Sequence, residues 1–145
     1  MHYHHPVIKA SASQLRKHGL KDTLARRTVL HALARAKHPL TTQEIQRKLQ
    51  KDEQRIGIVT VYRVIEALER ARLVHRHVNG SFSACSQPDV KCGHVLLSCI
   101  SCGTRRETHD HGLCRKEESL SKRLGFSPVR GAREIVALCS HCSKR

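Results

Sequence analysis

Aromatic residues are scarce: the 145-residue chain has no Trp, two Phe and two Tyr. Single-stranded nucleic acid is held by stacking bases on aromatic faces, and this chain offers few such platforms. A membrane-surface helix needs large apolar anchors beside its basic face, and these are short for the same reason. No apolar run approaches the length of a membrane span. The first ten residues lack the apolar core and small-residue cleavage site of a secretory signal, so a reducing, cytoplasmic setting is expected. Acids are also few, 12 against 27 Lys and Arg, which leaves a net charge of +15 with neutral histidines. Charge of that size points to a polyanionic partner, and with stacking disfavoured, duplex DNA fits best. Internal repeats and low-complexity segments are absent.

Cysteine, by contrast, is plentiful. Seven are present, and four form two CxxC pairs, Cys99/Cys102 and Cys139/Cys142. Each pair puts two thiolates on one tight turn, and two pairs supply the four sulfurs of a closed tetrahedral zinc site. Four thiolates leave no open position, so such a metal would be structural. In zinc-finger peptides a site of this kind contributes about 10–16 kcal/mol to folding. A dithiol redox system is the other use of CxxC, but neither pair lies in a thioredoxin-like context.

Hydrophobic spacing predicts an α+β fold in two parts. Residues 23–36 read as a helix with Val29, Leu30 and Leu33 on one face. Thr41 and Glu44 form a capping box that opens a second helix carrying Ile45 and Leu49. A polar loop over 51–57 ends in Gly57. A third helix spans about 59–71, with Ile58, Val61, Ile65 and Leu68 toward the core. Two β-rich runs then flank Asn79-Gly80, a strong hairpin signal. Helices followed by a hairpin make a winged helix-turn-helix over residues 1–85, whose third helix would enter the major groove. Residues 86–93 read as a hinge. A small α/β unit over 94–145 follows, with strands near 94–98, 104–108, 127–130 and 133–138 and a helix near 113–124 ended by Gly125.

Several stretches together resemble the ferric uptake regulator superfamily of metal-sensing bacterial repressors. They are Gly19-Leu20-Lys21 with Arg26, Ile58-Val59-Thr60-Val61-Tyr62-Arg63, the run from His94 to Cys99 with Glu107, Gly125-Phe126, and the final CxxC. The resemblance covers roughly residues 14–142. It implies a homodimer, each subunit pairing a winged helix with a dimerisation domain, and metal-dependent closure of the two arms on a pseudo-palindromic DNA operator. No membrane and no small-molecule substrate is implied.

The resemblance also places regulatory metal ligands at His75, Cys85, His94 and Glu107. One thiolate, two imidazoles and a carboxylate suit Zn2+, which directs the reading to the zinc uptake regulator branch. Each subunit would then hold one structural and one regulatory zinc. Cys92, two residues before His94, is the alternative to it. A strict two-residue Asn79-Gly80 turn would pair His75 with Ala84 and put His75 and Cys85 on opposite faces. Shared ligation therefore predicts a bulge after Gly80 that pairs His75 with Cys85, or a strand end that turns at Cys85. His77, His109 and His111 read as solvated histidines, and Cys114 as a core cysteine on a helix face. His2, His4 and His5 offer weak metal binding at most.

On the DNA side, Tyr62 and Arg63 are the base-reading candidates: a Tyr ring can meet a thymine methyl, and Arg can pair bidentately with guanine. Thr60 would take a phosphate. Lys21 matches a family lysine that reaches the minor groove, and Arg26 could clamp a phosphate or belong to a solvated helix face. Arg72 stands where the family usually has glycine. Two other classes stay open. An iron, manganese, nickel or peroxide sensor of the same superfamily is one. A zinc enzyme with Glu107 as base is the other, although neither an H-x-E…P-C-x-x-C nor an H-E-x-x-H signature is present.

Overall fold

Two threonines start the helices that organise the first half of the chain. Thr23 accepts from the Arg26 N–H and opens α2, Leu24–Ala34; Thr41 and Glu44 close a reciprocal capping box at α3, Thr42–Lys51. The computed structural model describes residues 12–52, 55–129 and 131–144. His2, His4 and His5 lie outside the described residues. The chain forms two compact units, Met1–Pro88 and Asp89–Arg145.

In the first unit a short α1, Ala12–Lys17, precedes α2, α3 and α4, Ile58–Arg70. α1 offers one buried side chain, Leu15, too little for periodicity to reveal it. The apolar stripes meet as their spacing predicts: Val29, Leu30 and Leu33 pack with Ile45, Leu49, Val61, Ile65 and Leu68. Ile58, expected in that stripe, is only partly buried at the helix start. β1, Val74–Arg76, and β2, Phe82–Ala84, form the antiparallel hairpin, which Leu40 extends by bridging to Phe82. Helices capped by a hairpin wing give the winged helix-turn-helix architecture.

α4 ends in a Schellman motif. The Leu73 N–H donates to the Leu68 carbonyl and the Arg72 N–H to that of Glu69. Arg72 itself sits at φ 59, the left-handed region. The ends of α1 and α5, His111–Arg123, use the same bonding pattern with Gly19 and Gly125 at this position, where no Cβ penalty arises.

The second unit is a three-stranded sheet ordered β4-β3-β5, from β3, His94–Cys99, β4, Arg105–His109, and β5, Arg133–Ala137. β3 pairs antiparallel with β4 and parallel with β5, and the parallel pairing needs the crossover that α5 provides. The strand expected over 127–130 does not form at 127–129, and Arg130 lies outside the described residues. Pro128 lacks a ladder donor. The Val129 carbonyl is instead taken by Arg133 Nη2 at 2.8 Å, so a side chain replaces a strand partner. Among the described residues no helix is long and apolar enough to cross a membrane.

Candidate metal centres

The two CxxC turns meet at one end of the parallel pair. β3 delivers Cys99, and β5 ends two residues before Cys139, with the Ile100 N–H bonded to the Ala137 carbonyl at 2.9 Å. The register Cys99↔Ala137 therefore sets the two turns side by side. One sulfur from each of Cys99, Cys102, Cys139 and Cys142 lies within 4.8 Å of the others. Cys102 Sγ is 3.8 Å from Cys139 Sγ. The turns aim peptide N–H groups at sulfur, as the Cys139 N–H does to Cys99 Sγ at 3.4 Å.

The protonation energetics fit a cation. N–H groups of Cys102 and Cys139 lower the Cys99 thiol to about 6. Thr104 lowers Cys102 through its hydroxyl and its backbone. Ser101 pulls Cys142 down, but the Cys139 thiol, desolvation and the thiols of Cys102 and Cys99 outweigh it and push Cys142 up to about 12. The site thus readily gives up its first proton and resists giving up its last. A central dication would ease that resistance, because it offsets half the charge of four thiolates and draws each of them. The donor set and its spacing can hold a tetrahedral zinc.

The hairpin has no bulge of the expected kind, and β2 ends at Ala84, immediately before Cys85, as the second route expected. Its register is Val74↔Ala84, His75↔Ser83 and Arg76↔Phe82. The His77 N–H bonds to the Ser81 carbonyl and Gly80 sits at φ 78, so the loop holds three residues, Val78-Asn79-Gly80. That slides the pairing by one residue in the direction opposite to the expected bulge. The Cys85 N–H then bonds to the Leu73 carbonyl just past the strand end. Cys85 lies opposite Leu73, and His75, two residues on, shares its face as a diagonal neighbour. Ligand atoms of His75 and Cys85 lie within 4.8 Å, and both residues are buried.

In the second unit His94 and Glu107 form a pair of their own. They occupy adjacent strands, and His94 Nδ1 is 3.0 Å from Glu107 Oε1. The ring's other nitrogen, Nε2, is 2.7 Å from the Val90 carbonyl and donates to it. That bond fixes the tautomer whose Nδ1 lone pair faces the carboxylate. A lone pair and a carboxylate oxygen at 3.0 Å repel unless a proton or a cation joins them. The arrangement matches two ligands of one ion. The sulfur of Cys92, the alternative to His94, lies 3.6 Å from His111 Nδ1.

The structure also corrects three side chains and leaves His111 exposed, as expected. His77 is buried, with Nε2 2.8 Å from Ser83 Oγ, and is not solvated. His109 packs edge-on against the His94 ring, its Nε2 3.2 Å from His94 Nδ1. The antiparallel register His94↔His109 causes this, and a pairing of β3 with β4 in the sequence would have signalled it. His111 lies against a cysteine. Cys114 is only partly buried, on a helix with no buried residue, so it is not a core cysteine.

On α4, Thr60, Tyr62 and Arg63 are exposed while Val61 between them is buried. Gln43 Nε2 donates to the Tyr62 hydroxyl at 3.1 Å, adding a residue of α3 to this surface. Lys21 is exposed in the turn before α2. Arg26 Nη1 donates to the Lys21 carbonyl at 2.7 Å, so Arg26 steadies the Lys21 turn from within the chain.

Comparison with known proteins agrees with this architecture. The ferric uptake regulation protein of Legionella pneumophila is 31% identical over 133 residues, 90% of this chain and 97% of that protein. That of Neisseria gonorrhoeae is 26% identical over 137 residues, 94% of this chain and 95% of its own length. A crystal structure of holo XcZur superposes with a TM-score of 0.83 at 26% identity, covering 97% of this chain and 99% of that one. A ferric uptake regulator from Pseudomonas aeruginosa with manganese gives 0.58, also at 26% identity, covering 92% and 98%. The family model described as "Ferric uptake regulator family" matches residues 17–135, from α1 to β5, and the chain belongs to that family.

Proposed function

We propose that this protein is a zinc-responsive transcriptional repressor that binds a pseudo-palindromic operator as a metal-loaded homodimer and controls zinc uptake genes. The observation that carries the zinc reading is the shared face of His75 and Cys85. It pairs a thiolate with an imidazole on the wing, a donor set suited to Zn2+. His75 and Cys85 from the first unit and His94 and Glu107 from the second would hold one regulatory zinc. Cys99, Cys102, Cys139 and Cys142 would hold a structural one. Support for the zinc branch also comes from the TM-score of 0.83 with holo XcZur against 0.58 with the manganese-bound regulator, at equal identity.

The mechanism follows from where the ligands stand. Each unit offers a preformed pair, and the residues between β2 and β3 join the pairs. These four residues would hold the cation, which when bound would supply the attraction drawing their donors together. His75 and Cys85 would fix the wing, His94 and Glu107 would fix the sheet, and the arrangement satisfying all four would be favoured. Thr60, Tyr62 and Arg63 of α4 would meet the major groove, and Lys21 the backbone or minor groove. Exposed Ile135, Val136 and Leu138 in and beyond β5, and Leu120 and Leu124 in and after α5, support a subunit interface in the second unit.

The test is operator binding against free metal. A duplex recovered from a random library by zinc-loaded protein is titrated in buffered zinc, iron(II), manganese and nickel. Tight binding with zinc, lost on chelation and in His75→Ala and Cys85→Ser, is expected. Equal binding under chelator removes the sensing role, and tight binding with iron alone moves the protein to the iron-sensing reading that its curated relatives' names favour.

A further inference from the structure

Gln43 belongs to neither metal centre, yet its side chain ends on the surface that Thr60, Tyr62 and Arg63 present. It is the second residue of α3. Ile45 and Leu49 of that helix share one apolar cluster with Val61 and Ile65 of α4, which brings the start of α3 beside the first turns of α4. Gln43 Nε2 donates to the Tyr62 hydroxyl at 3.1 Å. The other end of the amide is also held: the hydroxyl of Thr42, a buried residue, donates to Gln43 Oε1 at 3.3 Å. The series Thr42, Gln43, Tyr62 therefore has one polarity. An amide NH2 group only donates, so the Tyr62 oxygen accepts, and its own proton is left to point away from α3. Tyr62 is 49% exposed and Gln43 is exposed as well. A hydrogen bond between two exposed groups replaces bonds to water and adds little to folding. What it does fix is the direction of a ring and of a hydroxyl.

We propose that Gln43 is a positioning residue for DNA recognition: it holds Tyr62 in place and turns the hydroxyl proton outward, to donate to an acceptor atom of the duplex. This rests on the reading of α4 as the helix that meets the major groove. Acceptors abound there, from N7 and O6 of guanine and O4 of thymine to the phosphate oxygens. Without Gln43 the hydroxyl would rotate to meet a donor or an acceptor alike. With one acceptor position filled by Gln43, the outward group is the proton, and Tyr62 favours acceptors over the amino donors of adenine and cytosine. Ordering the side chain before association also lowers the entropy lost on binding.

Full-length zinc-loaded protein is titrated by fluorescence anisotropy against a duplex that wild type selects from a random library. The series is wild type, Gln43→Ala, Tyr62→Phe and the double variant. Each single variant should weaken binding about three- to tenfold. Gln43→Ala should add no further loss once Tyr62→Phe has removed the hydroxyl, and urea midpoints should match wild type throughout. Single-base-pair variants of the duplex locate the acceptor: a loss confined to one base pair assigns it to a base edge, and an even loss assigns it to a phosphate. Wild-type affinity in Gln43→Ala would overturn the proposal, as would a loss that tracks a lowered urea midpoint. An equal loss with and without the Tyr62 hydroxyl would also overturn it, since Gln43 would then touch the duplex itself. A wild-type protein that selects no duplex would overturn the DNA-binding reading first and the proposal with it.

Discussion

At Arg72 the backbone is held left-handed by its neighbours' bonding and against its own preference. An L-residue with a Cβ costs about 1–2 kcal/mol in that region, and Gly costs nothing comparable. Arg72→Gly should therefore raise stability by up to about 1 kcal/mol, net of the side-chain contact given up. A urea titration compared with wild type checks this, and a loss of stability would mean that the Arg72 side chain outweighs its backbone cost. Glu44 shows the opposite balance. The Thr41 N–H at 2.7 Å and Thr41 hydroxyl at 2.8 Å both donate to its carboxylate and hold it below the ordinary 4.5. A depressed folded-state value means this stabilisation is fully present above pH 4.5 and is lost as pH falls through the lower value. Glu44→Ala should cost about 0.5–1 kcal/mol at neutral pH, and the gap to wild type should narrow in acid melts. A gap independent of pH would show that the carboxylate's charge is not what stabilises the cap.

Among the elements, the second unit's sheet depends most on its staple. β3 is buried, but β4 alternates half-buried and exposed residues, β5 ends in three exposed ones and α5 buries none. The apolar core of the first unit has no counterpart there, so the metal-held turns would supply what packing does not. Stripping the metal from the four-cysteine site, or Cys142→Ser, should abolish amide protection in β3 and β5 while α2, α3 and α4 stay protected. Hydrogen exchange on metal-loaded and stripped protein reads this directly, and equal protection in both would mean that the sheet stands without its metal. The same contrast explains what could be read from the sequence. Apolar stripes, the Thr41 capping box and paired CxxC turns are local signals of fixed period, and apart from Ile58 at the start of its stripe they appear where they were expected. The hairpin register is not local in that sense. Asn79-Gly80 marks a turn without stating how many residues it spans, and one residue decides whether His75 and Cys85 share a face. Nor does spacing reveal that Cys92 lies against His111, so Cys92 could be weighed only as a rival to His94. The strand expected near 127–130 failed because alternation takes no account of the missing N–H of Pro128 or of Arg133 occupying the Val129 carbonyl.

Over the whole molecule the governing quantity is the charge of +15. Affinity for duplex DNA that arises from phosphate neutralisation falls with salt, and the log–log slope changes by about 0.9 per contact. Base reading leaves that slope nearly untouched, because a bidentate Arg–guanine pair releases no condensed counterion. The proposed roles therefore separate in one experiment. Lys21→Ala should weaken binding evenly across operator variants and flatten the slope by about 1. Arg63→Ala should cost about 1–3 kcal/mol on the preferred operator, relax preference at one base pair and leave the slope in place. Arg26→Ala should act like Lys21→Ala, since its guanidinium holds the Lys21 carbonyl. Fluorescence anisotropy with zinc-loaded protein from low to moderate salt measures all three. If Arg63→Ala flattens the slope and Lys21→Ala narrows the sequence preference, the two residues have exchanged roles, and α4 would be held on the duplex by its phosphates while the turn before α2 reads its bases.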